Sequence, residues 1–191
     1  MSLRPIVIIP DERLRTIVPP VESVTPEIVK QVKDMFDTMY DAPGIGLAAP
    51  QIGVMNRVIV VDAAERAARE EAEDEEIHGQ VADRPEPEPV REPIAMINPE
   101  ITWFSEETKV HEEGCLSIPE YYEDVERPAF VRVRYTDLEG KETEREAGGL
   151  LAVVIQHEVD HLNGKLFIDY LSRLKRDRIN KRFQKLARRA G

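Results

Sequence analysis

The stretch GGLLAVVIQHEVDHLNG, residues 148–164, decides the predicted fold. Its first half is almost entirely apolar, which predicts a buried helix, and Gly164 stands where such a helix ends. His157 and His161 are four residues apart and therefore lie on one face of that helix. Two imidazoles on one face can bind a metal ion, and Glu158 can act beside them as a general base. The alternative is a surface helix with ordinary polar residues.

A predicted metal site needs a third protein ligand. Titratable groups at the end of a buried helix are costly unless they have partners, and a metal ion supplies one. Catalytic sites of this kind typically hold three protein ligands and keep one position open. Asp169 and Asp177 lie downstream of the histidines, and Cys115 lies upstream in EEGCLSIP. A thiolate suits Zn²⁺ or Fe²⁺, but a free cysteine is more often a small buried apolar residue, so the third ligand stays open.

The flanking segments predict an α+β fold with mainly antiparallel sheets packed around this buried helix. Residues 25–40 predict a helix with Thr25 as its N-cap and Pro26 at its first position. Its predicted buried stripe consists of Ile28, Val29, Val32, Met35, Phe36 and Met39. Strands are predicted over residues 56–62, 95–104, 108–113 and 129–147, and the last segment is a hairpin that turns at Glu139-Gly140.

The length of 191 residues predicts a single catalytic domain, residues 1–191. Residues 63–93 contain a charged stretch that can be helical and a proline-rich stretch that cannot. We interpret them as an acidic surface insertion, with a functional lid as the alternative. Residues 171–191 predict a basic, amphipathic C-terminal helix. Its predicted apolar face consists of Leu171, Leu174, Ile179, Phe183 and Leu186.

The composition narrows the location and the partners. The net charge is −11, and the insertion and the C-terminal segment carry opposite charges. This acidic balance argues against general affinity for nucleic acid, so we expect no DNA partner, although the basic tail can contact a polyanion locally. No run approaches the roughly 20 apolar residues needed to span a membrane. The N-terminus does not resemble a signal peptide, and a single cysteine excludes an internal disulfide. We therefore expect a cytoplasmic protein without a membrane partner.

Three motifs in order carry a resemblance to a known family. They are GIGLAAPQ at residues 44–51, EGCLS at residues 113–117 and QHEVDH at residues 156–161. Together they resemble the motifs of the peptide deformylases, which remove the formyl group from the N-terminal methionine of new bacterial polypeptides. The resemblance implies one divalent metal per chain, bound by Cys115, His157 and His161. It implies Fe²⁺ as the native ion, with Zn²⁺, Ni²⁺ or Co²⁺ able to replace it.

The resemblance also implies roles for the remaining site residues. Glu158 is expected to take a proton from the metal-bound water as hydroxide attacks the formyl carbon. The Gln51 side chain and the Leu116 backbone N–H are expected to stabilise the developing oxyanion. The expected substrate contacts are Ile45 and Gly46 in the peptide groove and Val153 and Val154 in the methionine pocket. From the residues alone, Gln51 reads as a solvent-facing turn residue and the two valines as core.

Three questions remain open in the sequence. Many bacterial members of the family have an arginine near this position, whereas this chain has Tyr121-Tyr122, which cannot supply a guanidinium to a substrate carbonyl. The basic C-terminal helix is either a solvated face or a contact to ribosomal RNA. The alternative functions are another HExxH metallohydrolase, such as a peptidase, or a non-catalytic metal-containing binding protein. The cysteine ligand and GIGLAAPQ argue against the first, and Gln51, Leu116 and Glu158 argue against the second.

Overall fold

Strands in two antiparallel sheets enclose the helix that carries the two histidines. The computed structural model describes residues 2–77 and 91–190. Within them, five strands pair in the order β1-β2-β3-β6-β7, and β4 pairs with β5 in a separate hairpin. In chain order the elements are α1 (Pro26–Asp41), β1 (Gly46–Ala48), β2 (Val58–Val61), α2 (Ala64–Ile77), β3 (Ile94–Phe104), β4 (Thr108–Cys115), β5 (Ile118–Pro128), β6 (Phe130–Thr136), β7 (Glu142–Gly148), α3 (Gly149–Leu162) and α4 (Arg173–Ala190). The predicted α+β class is confirmed.

Helix α3 is the buried helix that the apolar run predicts. It contacts β1, β2 and β7, and nearly every side chain from Ala152 onward is buried. Its C-cap is Asn163, and the chain then turns through Gly164, which has a φ of 69°. A Cβ at Gly164 would lie 2.5 Å from the carbonyl oxygen of Arg15, so the turn requires glycine. The two histidines are therefore fixed in the centre of the fold.

Helix α1 begins as predicted, but one residue of its predicted buried stripe is wrong. The Thr25 hydroxyl accepts a hydrogen bond from the backbone N–H of Ile28, and Pro26 opens the helix. Met35 and Met39 are fully buried, whereas Val29 is 44% exposed. Val29 lies on the edge of the stripe, where the helix turns away from the sheet that covers its partners.

Two strands have no counterpart in the sequence predictions. Strand β1 has only three residues, too few to show a periodic pattern, and it pairs with β2 at the edge of the larger sheet. Strand β5 contains Tyr121 and Tyr122 and pairs with β4 at Ile118 and from Tyr122 to Pro128, with a register shift between the two stretches. Its acidic residues and its two prolines, Pro119 and Pro128, hide the strand pattern. Both strands carry residues that line the pocket next to His157.

The predicted insertion begins as a helix. Helix α2 covers the charged stretch that we expected to be helical, and it contacts α3. The Asp62 carboxylate, just before α2, accepts a hydrogen bond from the backbone N–H of Glu92 at 3.0 Å. The two ends of the insertion therefore meet. Residues 84–90 of the proline-rich stretch lie outside the described residues.

The C-terminal helix α4 docks through a narrower apolar face than predicted. Ile179 and Phe183 are buried, and Phe183 packs against Tyr121 of β5. Leu174 is 82% exposed and Leu186 is 47% exposed, so their predicted burial is wrong. Leu171 is partly buried but precedes the helix. Only the middle turns of α4 therefore contribute side chains to the core.

Candidate metal centre and substrate pocket

Helix α3 and the end of β4 bring three metal-binding side chains together. The ligand atoms of Cys115, His157 and His161 all lie within 4.8 Å of one another. The Sγ of Cys115 is 3.3 Å from Nε2 of His161. The pairing of β4 with β5 shifts register between Gly114 and Cys115, which redirects the strand end toward α3. One soft donor and two imidazoles form a set that suits a divalent transition metal.

A buried ion-pair network orients His157. Its Nδ1 is 2.8 Å from the Glu113 carboxylate, so the Nδ1–H donates to Glu113 and Nε2 keeps a lone pair for a metal. Arg127 donates to Glu113 at 3.0 Å and to Asp160 at 2.8 Å. The side chains of Arg127 and Glu113 are each only 3% exposed. Burial raises the pKa of Glu113, but hydrogen bonds from His157 and Arg127 outweigh it, so that the pKa lies below the usual 4.5.

Burial shifts the pKa values of two other α3 residues at the metal centre, His161 and Glu158. Burial lowers the pKa of His161 well below 6.5, which leaves a neutral imidazole able to bind a cation. Burial raises the pKa of Glu158 to about 7. Among the described residues, Oε2 of Glu158 is buried and has no hydrogen-bond partner. An unpartnered carboxylate oxygen beside three metal-binding atoms fits a bound cation with an attached water.

Gln51 is a buried member of the site. It is 1% exposed, and its Nε2 lies 3.5 Å from the Cys115 sulfur and donates to the Ser117 hydroxyl at 3.2 Å. Its Oε1 accepts a hydrogen bond from the backbone N–H of Ala48 at 2.8 Å. The amide is therefore held with its NH₂ group toward the centre, and the reading of Gln51 as a solvent-facing turn residue is wrong.

A pocket of about 260 Å³ is lined by two of the three metal-binding residues, Cys115 and His157. All four predicted substrate contacts line it: Ile45, Gly46, Val153 and Val154. Val154 also packs in the main core, so the two readings of this residue are compatible. A Cβ at Gly46 would overlap the Glu158 carboxylate and lie 2.7 Å from Val154. Glycine at position 46 therefore lets β1 approach the metal-binding helix closely.

The two tyrosines that stand in place of the expected arginine, Tyr121 and Tyr122, have different contacts. Tyr121 packs against Phe183, and Arg182 of α4 donates to its hydroxyl at 3.1 Å. Tyr122 is 62% exposed and lies opposite Gly114, where a Cβ would come within 2.6 Å of its ring. Both line the pocket. Tyr121 is thus held in the pocket wall by contacts to α4, and Tyr122 exposes its aromatic ring to solvent at the pocket.

The structure brings the predicted site residues together, and one candidate metal ligand, Asp169, lies outside the cluster. Asp169 pairs with Arg15 and accepts from the backbone N–H of Leu166, and it does not belong to the cluster. Sequence reasoning missed Glu113 and Arg127. Glu113 stands inside the quoted EEGCLSIP segment, and a charged residue directly before a glycine and a ligand is a usable signal. Arg127 carries no local signal, because only the hairpin brings it to the site.

Comparison with known proteins identifies the arrangement. Residues 3–177 match the family described as Polypeptide deformylase. The chain is 58% identical over 191 residues to a peptide deformylase of Bradyrhizobium sp. (strain BTAi1), covering 100% of this chain and 99% of the relative. It is 53% identical over 188 residues to a peptide deformylase of Methylocella silvestris, with 98% and 87% coverage.

Solved structures agree with the sequence comparison. A Legionella pneumophila peptide deformylase superposes with a TM-score of 0.77 at 44% identity, covering 98% of this chain and 96% of that one. An Ehrlichia chaffeensis peptide deformylase in complex with actinonin gives 0.80 at 39% identity, with coverage of 97% and 98%. The fold, the length and the cluster of Cys115, His157 and His161 lead to one conclusion. The chain belongs to the peptide deformylase family of metal-dependent enzymes.

Proposed function

We propose that the chain removes the formyl group from the N-terminal methionine of nascent polypeptides, with Cys115, His157 and His161 as its metal ligands. The observation that carries the proposal is the convergence of these three donors beside the buried carboxylate of Glu158. A site that held a metal only for structure would need no free carboxylate there, nor a pocket that leads to it.

The donor set fits one divalent ion, and we infer Fe²⁺ as the native metal. The chemistry that the ion supplies is to lower the pKa of a bound water from 15.7 toward about 7 and to polarise the formyl oxygen. Zn²⁺, Ni²⁺ or Co²⁺ would fit the same one sulfur and two nitrogens. Metal analysis of protein purified without oxygen distinguishes these ions, and a predominance of zinc would overturn the assignment of iron.

Glu158 is the proposed proton carrier. Its carboxylate is buried on the pocket side of α3, and its raised pKa of about 7 matches a group that takes and returns protons near neutral pH. It would accept a proton from the attacking water and pass one to the departing amine of methionine. Both transfers balance, because the proton gained in the first step is lost in the second.

Gln51 and Leu116 are the proposed donors to the formyl oxygen as it becomes negative. The Gln51 NH₂ group is held toward Cys115 by the bond from Ala48 to its carbonyl oxygen. The Leu116 backbone follows the ligand directly and lines the same pocket. Removing one such donor costs about 2.7–4 kcal/mol of transition-state stabilisation in comparable sites.

The peptide is proposed to bind along the edge of β1. Within the described residues, β1 has a strand partner on one side only. An added peptide strand would pair with residues beside Ile45 and Gly46, which fixes its main chain and leaves its sequence largely free. The methionine side chain would enter between Val153 and Val154. Selecting formyl over larger acyl groups would require a tight site around the metal, because one methyl group in an apolar pocket discriminates by only about 1–3 kcal/mol.

We also propose that residues 1–191 act as one catalytic domain in the cytoplasm, where new polypeptides emerge. No helix in the described ranges is long and apolar enough to cross a membrane. The insertion 63–93 is proposed to be an acidic surface element and the segment 171–191 a basic helix able to contact ribosomal RNA. The exposed lysines and arginines of α4 support this role.

Formate release tests the proposed reaction. We expect Glu158→Gln to lower kcat on formyl-Met-Ala-Ser by about 100-fold or more, the usual size for a general acid–base group. Metal content should stay at one ion per chain. The matched control is Glu112→Gln, which removes an exposed carboxylate at the pocket rim. Full activity in Glu158→Gln would exclude Glu158 as the proton carrier.

Ribosome binding is tested by charge rather than by truncation, because Ile179 and Phe183 belong to the core. We expect reversal of three exposed charges, Lys181→Glu, Lys185→Glu and Arg188→Glu, to weaken binding to ribosomes. Wild-type binding should also fall steeply with added salt. Equal affinity of the variant and the wild type would rule out the contact.

A further inference from the structure

Arg66 of helix α2 lies in the wall of the substrate pocket. It is the sole lysine or arginine among the described residues that line this pocket. It also lines an adjoining cavity beside Pro43, Gly44 and Ile45. The segment 63–93, which the sequence indicates to be an acidic surface insertion, therefore also contributes a guanidinium to the substrate pocket.

The start of α2 explains this position. The backbone N–H of Asp62 donates to the carbonyl oxygen of Ile45 at 2.8 Å, and α2 begins two residues later, after the buried Ala63. The Asp62 carboxylate also accepts a hydrogen bond from the Tyr40 hydroxyl at 2.7 Å. The first turn of α2 is thus anchored next to Ile45, where the peptide is proposed to bind, and Arg66 stands on that turn.

The surroundings of Arg66 leave it available to a ligand. Its partner within α2 is Glu70 at 3.3 Å, and the two side chains are 54% and 44% exposed. An exposed pair of this kind is weak, so a peptide carboxylate can replace Glu70 at little cost. The carboxylates that line the same pocket include Glu112 and Glu120, and Glu120 already pairs with Arg182 at 3.1 Å. In an extended peptide, successive side chains point to opposite walls.

We propose that Arg66 is a specificity-determining residue that binds a carboxylate side chain at the second or third residue of the formylated peptide. This inference rests on the proposed function for the identity of the ligand. Arg66 supplies from α2 the guanidinium that Tyr121-Tyr122 cannot supply from β5. Its contact lies downstream of the bond that is cut, so it acts on KM and leaves kcat unchanged.

The test compares acidic peptides with neutral peptides of the same shape. The substrates are amidated formyl-Met-Asp-Ser and formyl-Met-Asn-Ser, and amidated formyl-Met-Ser-Asp and formyl-Met-Ser-Asn. At one of the two positions, we expect Arg66→Gln to lower the Asp-to-Asn ratio of kcat/KM about twofold to fivefold, the size of an exposed ion pair. Arg66→Lys should restore most of the ratio.

Arg69→Gln is the matched control. Arg69 is also exposed on α2, pairs with Glu65 four residues away and does not line the substrate pocket. Both variants remove one positive charge and one helical ion pair, so a general effect of charge or helix stability would appear in both. Equal Asp-to-Asn ratios for the two variants at both positions would overturn the proposal.

A binding measurement separates this inference from the proposed reaction. The dissociation constants of the four peptides are measured by calorimetry on Glu158→Gln and on the double variant with Arg66→Gln. We expect the Asp-to-Asn preference in binding to fall by the same factor. If the wild type released no formate, the proposed reaction would fail, while the binding ratio would still decide the role of Arg66.

Discussion

The two sides of the substrate pocket hold their charged residues in opposite ways. On the inner side, Arg127 bridges Glu113 and Asp160 while almost completely buried. On the outer side, the α2 pair of Arg66 with Glu70 is exposed to solvent, as is the pair of Arg69 with Glu65 on the same helix beyond the pocket. The inner charges cannot leave their partners without a large desolvation cost, whereas the outer charges can exchange partners freely.

This difference assigns the two sides different tasks. The inner network fixes the ring of His157, and a metal centre depends on ligands that do not move. The outer pairs are suited to substrates that change from one polypeptide to the next, because each exchange costs little. A rigid inner side and an adaptable outer side together match an enzyme that performs one reaction on many sequences.

The largest expected effect comes from breaking the inner network. Arg127→Met leaves the Glu113 and Asp160 carboxylates buried without their shared cation. We expect the free energy of unfolding to fall by about 3–5 kcal/mol, measured by urea denaturation. Arg132→Met is the control, because Arg132 also pairs with glutamates but is 41% exposed. Similar midpoints for the two variants would remove the distinction between the two sides.

The next effect concerns metal binding at the inner side. We expect a divalent ion at 100 times its dissociation constant to stabilise the wild type by about 2.7 kcal/mol, seen as a higher denaturation midpoint that a chelator reverses. Cys115→Ala should lose most of this gain, since one of three donors is missing. Glu158→Gln should keep it, because Glu158 is not proposed as a ligand. A full gain in Cys115→Ala would exclude the thiolate from the metal centre.

Two glycines of the same pocket segment, Gly44 and Gly46, give a sharper comparison of rigidity. We expect Gly46→Ala to destabilise the fold by about 1–3 kcal/mol and to reduce formate release, because its methyl group meets Glu158 and Val154 on the buried helix. At Gly44, the nearest atom to an added methyl is the end of the Leu116 side chain at 2.9 Å, which can rotate away. Gly44→Ala should therefore cost less. A larger loss in Gly44→Ala would contradict a rigid inner side.

The sequence predicted helix α3 far better than the residues that other elements bring to it, for physical reasons. The apolar run before His157 forces burial, and burial makes two histidines and a glutamate informative, so α3 and its residues could be predicted from pattern. Strand β5 could not, because its glutamates and prolines mask the alternation and its pairing with β4 is a long-range contact. Arg127 and Arg66 were missed for the same reason, since only tertiary pairing places them at the site.

The smallest expected effect concerns the outer side and its response to salt. Arg69→Gln removes one exposed pair on α2, and we expect the free energy of unfolding to fall by about 0.3–0.5 kcal/mol at low ionic strength. At 1 M salt the Debye length shrinks to about 3 Å, so this difference should vanish. The deficit of Arg127→Met should persist at the same salt, because water and ions do not reach a buried pair. Urea denaturation of both variants at two salt concentrations makes the comparison, and a deficit of Arg69→Gln that survived high salt would place the α2 pairs with the buried network instead of with the solvent.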